Sequence, residues 1–198
     1  MEPIVNKVAE SPIKVVNLEE ILGDVRVETF DIADHLENGF ILREKAFRKA
    51  VSEQDWSHLK GAHLAVTCST DAIIPTWVYM LIASEAGDVA ESVRTGTEDT
   101  VKDAVCAEIL RSTDWSQFED LIVVLKGCGG RSVPPAAYAE ATLGLKKVAQ
   151  KVMYGEPCSS VHVWRRPKAI APEAGDESSA KAAKIGSIRS ATSAGPRD

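Results

Sequence analysis

Three cysteines each follow a short apolar run. They are Cys68 after HLAVT, Cys128 after LIVVLKG, and Cys158 after VMYGEP. Thiolates are soft donors. Tetrahedral zinc takes three cysteines and one further group, often histidine. An iron–sulfur cluster held by three thiolates would keep one iron for a different ligand. Asp71, His162 and Glu156 are the candidates for a fourth position. The spacings of 60 and 30 residues match no local CxxC signature, so a shared site has to come from the fold. The loops CSTD and CGGR put small residues and free backbone N–H groups beside two of the thiols, where they suit a thiolate or a cluster sulfur. Two other readings stand beside metal ligation. The thiols fill strand ends as small apolar groups, or one of them is a nucleophile whose pKa a helix N-terminus depresses. Cys106 lies inside a helical pattern and reads as core filler.

The elements that must position these thiols show an internal pattern. A shift of 59 residues aligns 55–96 with 114–155 without a gap. Nine of the 42 pairs are identical: Asp55/Asp114, Trp56/Trp115, Ser57/Ser116, Pro75/Pro134, Tyr79/Tyr138, Val89/Val148, Ala90/Ala149, Val93/Val152 and Gly96/Gly155. Composition alone gives roughly two or three. Each copy reads as strand, loop, helix, strand. Cys68 and Cys128 fall one column apart in the loop after the first strand. Strands alternating with helices predict an α/β fold with a largely parallel sheet and right-handed crossovers. A duplicated βαβ unit predicts that the first strand of each copy lies beside the other at the sheet centre. The three cysteines would then share one crevice at the carboxyl ends of the strands.

Residues 1–60 are the least legible stretch, a mixed N-terminal segment. VRVETF (25–30) reads as a strand and 43–53 as a helix with Ala46, Phe47, Ala50 and Val51 on one face. The stretch 73–83 is apolar nearly all round and predicts a helix buried on more than one side. Thr100 with Asp103 resembles a capping box for a helix through Arg111. Pro134 and Pro135 open a further helix, and SSVHVWRR (159–166) alternates like an edge strand. Trp56 and Trp115 read as common packing at the entrance to each copy, and Tyr79 and Tyr138 as symmetric core. GCGG (127–130) lacks the lysine of a P-loop. The chain is thus expected to form one domain over 1–167. The Ala-, Ser-, Gly- and Lys-rich stretch 168–198, with five basic and four acidic residues, is expected to be a disordered tail.

Of the 198 residues, 44% are hydrophobic and 26% charged, and the net charge is −6. That balance suits a globular protein and argues against nucleic acid as the main partner. No apolar run approaches a membrane span, and MEPIVNKVAE lacks the apolar centre of a signal peptide. The expectation is a cytoplasmic protein with reduced thiols. The sequence sets no oligomeric state.

The stretches TCSTDAIIPTWVYML (67–81), LKGC (125–128) and YGEPCSSV (154–161) resemble a bacterial family, domain of unknown function 2480. The opening IVNKVAES and LREKAFRKAVSEQDWS fit it too. The resemblance spans about 3–166 and leaves out the tail. It implies cysteines at the positions of Cys68, Cys128 and Cys158. It also implies a setting close to iron–sulfur assembly, and hence assembly proteins as partners. The expectation from residues and resemblance together is a zinc or iron–sulfur protein. A non-catalytic scaffold and a thiol-dependent enzyme on a small molecule are the alternatives.

Overall fold

The computed structural model describes residues 13–127 and 133–167. The expected tail (168–198) and Cys128 itself lie outside the described residues. The fold is mixed α/β with two largely parallel sheets. β2 (Val27–Asp31), β3 (His63–Thr67) and β4 (Ser92–Thr95) form a three-stranded parallel sheet in that order. β1 (Ile13–Asn17), β5 (Ile122–Lys126), β6 (Lys151–Glu156) and β7 (Ser159–Arg165) form the second, with only β7 antiparallel. The expectation of one sheet with β3 beside β5 is therefore corrected. Each is instead the centre of its own sheet. Both centres, LAV in β3 and VVL in β5, are buried as unbroken apolar runs, as strands covered by neighbours must be.

One helix contributes to the cores of both sheets. α4 (Glu98–Ser112) carries two adjacent buried stripes. Val101 and Val105 pack on Ala65 of the three-stranded sheet. Cys106 and Leu110 join the cluster of the other sheet, where α4 packs against α5 and α1. A step of one residue turns a helix by about 100°, so α4 serves both cores. On the opposite face of the three-stranded sheet, α2 (Glu44–Glu53) and α3 (Thr76–Ala86) set Phe47, Val51, Val78 and Ile82 against Phe30, Leu64 and Val66. α5 (Pro135–Leu145) lays Ala137, Ala141 and Leu145 on the four-stranded sheet, with Leu18 of α1 (Leu18–Leu22) in the same cluster.

The strand pairings of the two sheets have the same register. Leu64 opposes Val93 and Val123 opposes Val152. Phe30 opposes Val66 and Val16 opposes Leu125. The chain also leaves β1 and β2 in the same way. Asn17 Oδ1 accepts from the Glu19 amide at 3.1 Å and Asp31 Oδ1 from the Ala33 amide at 2.9 Å. Each turn then buries an aliphatic side chain completely, Leu18 and Ile32. Ahead of β3 and β5, Trp56 Nε1 donates to the Val51 carbonyl at 3.3 Å and Trp115 Nε1 to the Leu110 carbonyl at 3.2 Å. Asp55 and Asp114 each accept the amide of the serine two residues on, both at 2.9 Å. Those hydrogen bonds from Ser57 and Ser116 hold both carboxyls below their usual pKa.

Three expectations change. β1 was not foreseen. α3 buries only the Val78, Ile82 and Ala86 stripe, while Met80 is 67% exposed and Ile73, ahead of the helix, 95%. The cap of α4 is Thr97, whose hydroxyl accepts from the Thr100 amide at 3.3 Å, so the helix starts earlier than the Thr100–Asp103 pattern suggested. Among the described residues no helix is long and apolar enough to cross a membrane.

Candidate thiol site

Cys68 leaves the carboxyl end of β3 half-buried. Its Sγ donates to the Thr70 carbonyl at 3.5 Å and lies 3.4 Å from Thr70 Oγ1. It also packs against the apolar cluster under α2 and α3. The loop is tied down from the neighbouring strand, because the Ser69 amide donates to Asp31 Oδ1 at 3.0 Å. Burial alone would raise the Asp31 pKa, but the hydrogen bonds from Ser69 and Ala33 outweigh it and hold the carboxylate below its usual value. Asp71 is exposed in the same loop.

The four-stranded sheet carries Cys158, and its β5 is the strand that precedes Cys128 in the sequence. Cys158 is exposed and sits with Pro157 in the two-residue turn between β6 and β7. Cys128 follows Gly127, the residue after β5. β5 and β6 are hydrogen-bonded neighbours running the same way. Their last residues, Lys126 and Glu156, form an ion pair of 3.0 Å. Each cysteine is two residues beyond one member of that pair, in Lys-Gly-Cys and Glu-Pro-Cys. One Cα-to-Cα step spans about 3.8 Å, so both chains enter their cysteines from the same end of the sheet. Exposed pairs of this kind contribute at most about 1 kcal/mol. This one matters as a marker of where the strand ends lie.

Gly127 is closely approached by a side chain. A Cβ there would lie 2.0 Å from the Tyr138 hydroxyl oxygen and 3.3 Å from Val133 Cγ2. The tyrosine of α5 therefore lies directly against the start of the Cys128 loop. Tyr138 and Tyr154 meet edge to face, with ring centroids 5.5 Å apart.

The described ends of β5 and β6, which precede Cys128 and Cys158 in the sequence, thus lie at one end of one sheet, and Cys68 follows β3 of the other. His162 is exposed on β7 opposite Met153, four residues along the strand from Cys158. Among the described residues no group of three His, Cys, Asp or Glu side chains is placed to hold a metal ion. Cys106 is 2% exposed in the cluster of the four-stranded sheet, and burial pushes its thiol pKa up, as befits a core residue. The sequence reading missed the Lys126–Glu156 pair. Its signal was present as opposite charges two residues ahead of two cysteines, in runs that both read as strands.

In comparisons with known proteins, a family described as "Protein of unknown function (DUF2480)" matches residues 2–166. No curated protein and no solved structure matches.

Proposed function

We propose that this chain, which belongs to the DUF2480 family, uses Cys128 and Cys158 as the paired thiol ligands of a zinc ion or an iron–sulfur cluster. One observation carries the reading. The ends of β5 and β6 are adjacent and joined through Lys126 and Glu156, and each leads to a cysteine two residues on. The donor set fits a soft metal, since thiolates select zinc and iron–sulfur centres over hard cations. When bound, such a group would supply structural cross-linking of the two loops or one-electron chemistry. Cys68, as the third thiol, would have to reach the site from the other sheet, and Asp71 shares its loop. Loss of metal on removing Cys68 would place that loop in the site.

The 59-residue spacing supports a further part of the proposal, that the two halves descend from one unit. β3, α3 and β4 each have a counterpart beginning 59 residues later in β5, α5 and β6, with the same pairing register. A cytoplasmic setting, and iron–sulfur assembly proteins as partners, are part of the same reading.

The test is metal analysis of protein purified without oxygen. Brown protein with iron and sulfide, or colourless protein with about one zinc per chain, supports the proposal if Cys128→Ala and Cys158→Ala each abolish it. Metal-free wild-type protein overturns it. In that case, rapid alkylation of one cysteine at neutral pH would favour the thiol enzyme, and ordinary reactivity at every cysteine the scaffold.

A further inference from the structure

Beside α5 runs a cleft of about 610 Å3 that the thiol reading does not use. Small-molecule sites usually enclose roughly 300–1,000 Å3, with apolar walls and a few placed polar groups. The walls here are Leu125 and Tyr138 at one end, Leu143 along the helix, and Tyr154 and Val163 from β6 and β7, with Lys146 at the far end. Three of these apolar walls are open to solvent: Leu143 at 54%, Tyr154 at 40% and Val163 at 48%. Exposed apolar groups gathered in a concavity mark a binding surface, whereas single ones need no explanation. Thr142 adds little polarity, because its hydroxyl donates to the Tyr138 carbonyl at 2.7 Å.

Charge decides the class of occupant. The lining holds one cation and no acid. Among the described residues, Lys146 has the Trp164 ring beneath it, 5.8 Å from Nζ to the ring centre, and no acid paired with it. From Pro135 to Lys146 the helix advances about 16 Å. The cleft is therefore long, apolar and terminated by a single ammonium group.

We propose that this cleft binds an elongated apolar molecule carrying one carboxylate, with the chain along Tyr138, Tyr154 and Leu143 and the acid at Lys146. The apolar body gains from leaving water. The carboxylate gains a charge-assisted hydrogen bond, which is shorter and stronger than a neutral one. The two tyrosines already meet edge to face and present an apolar wall to the chain. None of the cleft residues is a thiol, so metal content and binding in the cleft are read out separately.

The experiment is isothermal titration calorimetry of the full chain with dodecanoate, kept below its micellar concentration, alongside sedimentation of the same samples. Wild type is expected to bind one dodecanoate per chain. Leu143→Asp puts a carboxylate in the apolar wall and should abolish saturable heat. Lys146→Glu should weaken binding about tenfold or more. Both positions are exposed, so unchanged circular dichroism is expected for both. Absence of saturable binding to wild type overturns the proposal, as does wild-type affinity in both variants. A wild-type dimer that Leu143→Asp splits overturns it too, because a second copy would then be what covers the cleft.

Discussion

The central strands of the two sheets end differently. β3 runs into Cys68, whose sulfur is turned to Thr70 and packed on the cluster under α2 and α3. Fifty-nine residues later β5 runs into Gly127, with the Tyr138 hydroxyl against it and a cleft beside it. The strands match in register and burial. The difference lies in what a side chain does at one position. A cysteine closes the end of one sheet. A glycine leaves room for a tyrosine at the other, and the cysteine comes one position later in the sequence. A shared backbone plan therefore does not imply a shared site.

The largest effects should come from α4, the element both sheets need. Leu110 is fully buried in the cluster of the four-stranded sheet. Leu110→Ala should cost about 2–5 kcal/mol. Val51, the counterpart 59 residues earlier, has a smaller side chain, so Val51→Ala should cost less. Denaturant unfolding measures both, and equal losses would mean that the two cores do not depend differently on their helices. Next comes Gly144, where an added Cβ would lie 2.3 Å from Trp115 Nε1 and 2.5 Å from Cδ1. The indole is buried and rigid, so Gly144→Ala should cost about 1–3 kcal/mol by overpacking. The position 59 residues earlier is the exposed Glu85, and Glu85→Ala should leave thermal unfolding unchanged. Gly127→Ala should cost about 1 kcal/mol, the lower end of overpacking, because the end of the Tyr138 side chain can give way. It should also shift the Tyr138 resonances, and an unmoved Tyr138 spectrum would contradict the close approach.

Smaller still is a pH effect confined to the three-stranded sheet. His63 sits where the other sheet has Ile122. Burial, followed by the positive charge of Arg94, lowers its pKa below the usual 6.5, against the pull of Glu91 and Glu108. The folded state then binds this proton less readily than the unfolded chain. Stability should fall as pH drops below about 6.5 and recover above it. His63→Gln should flatten that part of the stability–pH curve, and an unchanged slope would locate the titration elsewhere.

Much of the fold was readable because local signals agreed. β3 and β5 are continuous apolar runs, Pro134 and Pro135 mark the start of α5, and the alternation of β7 fits its edge position. The number of sheets was not readable. Val101 and Val105 of α4 join one cluster and Cys106 and Leu110 another, a tertiary arrangement that the sequence does not rank above a single continuous sheet. β1 was missed because IKVVN is short and flows directly into helix-forming LEEIL. The exposure of Met80 on α3 shows that apolar composition does not by itself bury a face. For the candidate site, the strands before Cys128 and Cys158 were legible. The grouping of Cys68 with them assumed a single sheet.

The most direct test of the cysteine pairing is mild oxidation of metal-depleted monomer followed by peptide mapping. A disulfide needs Cα atoms within about 7 Å. Linkage of Cys128 to Cys158, with Cys68 left as a free thiol, is the predicted result. A dominant bond from Cys68 to either of the others would contradict the assignment of these thiols to separate sheets.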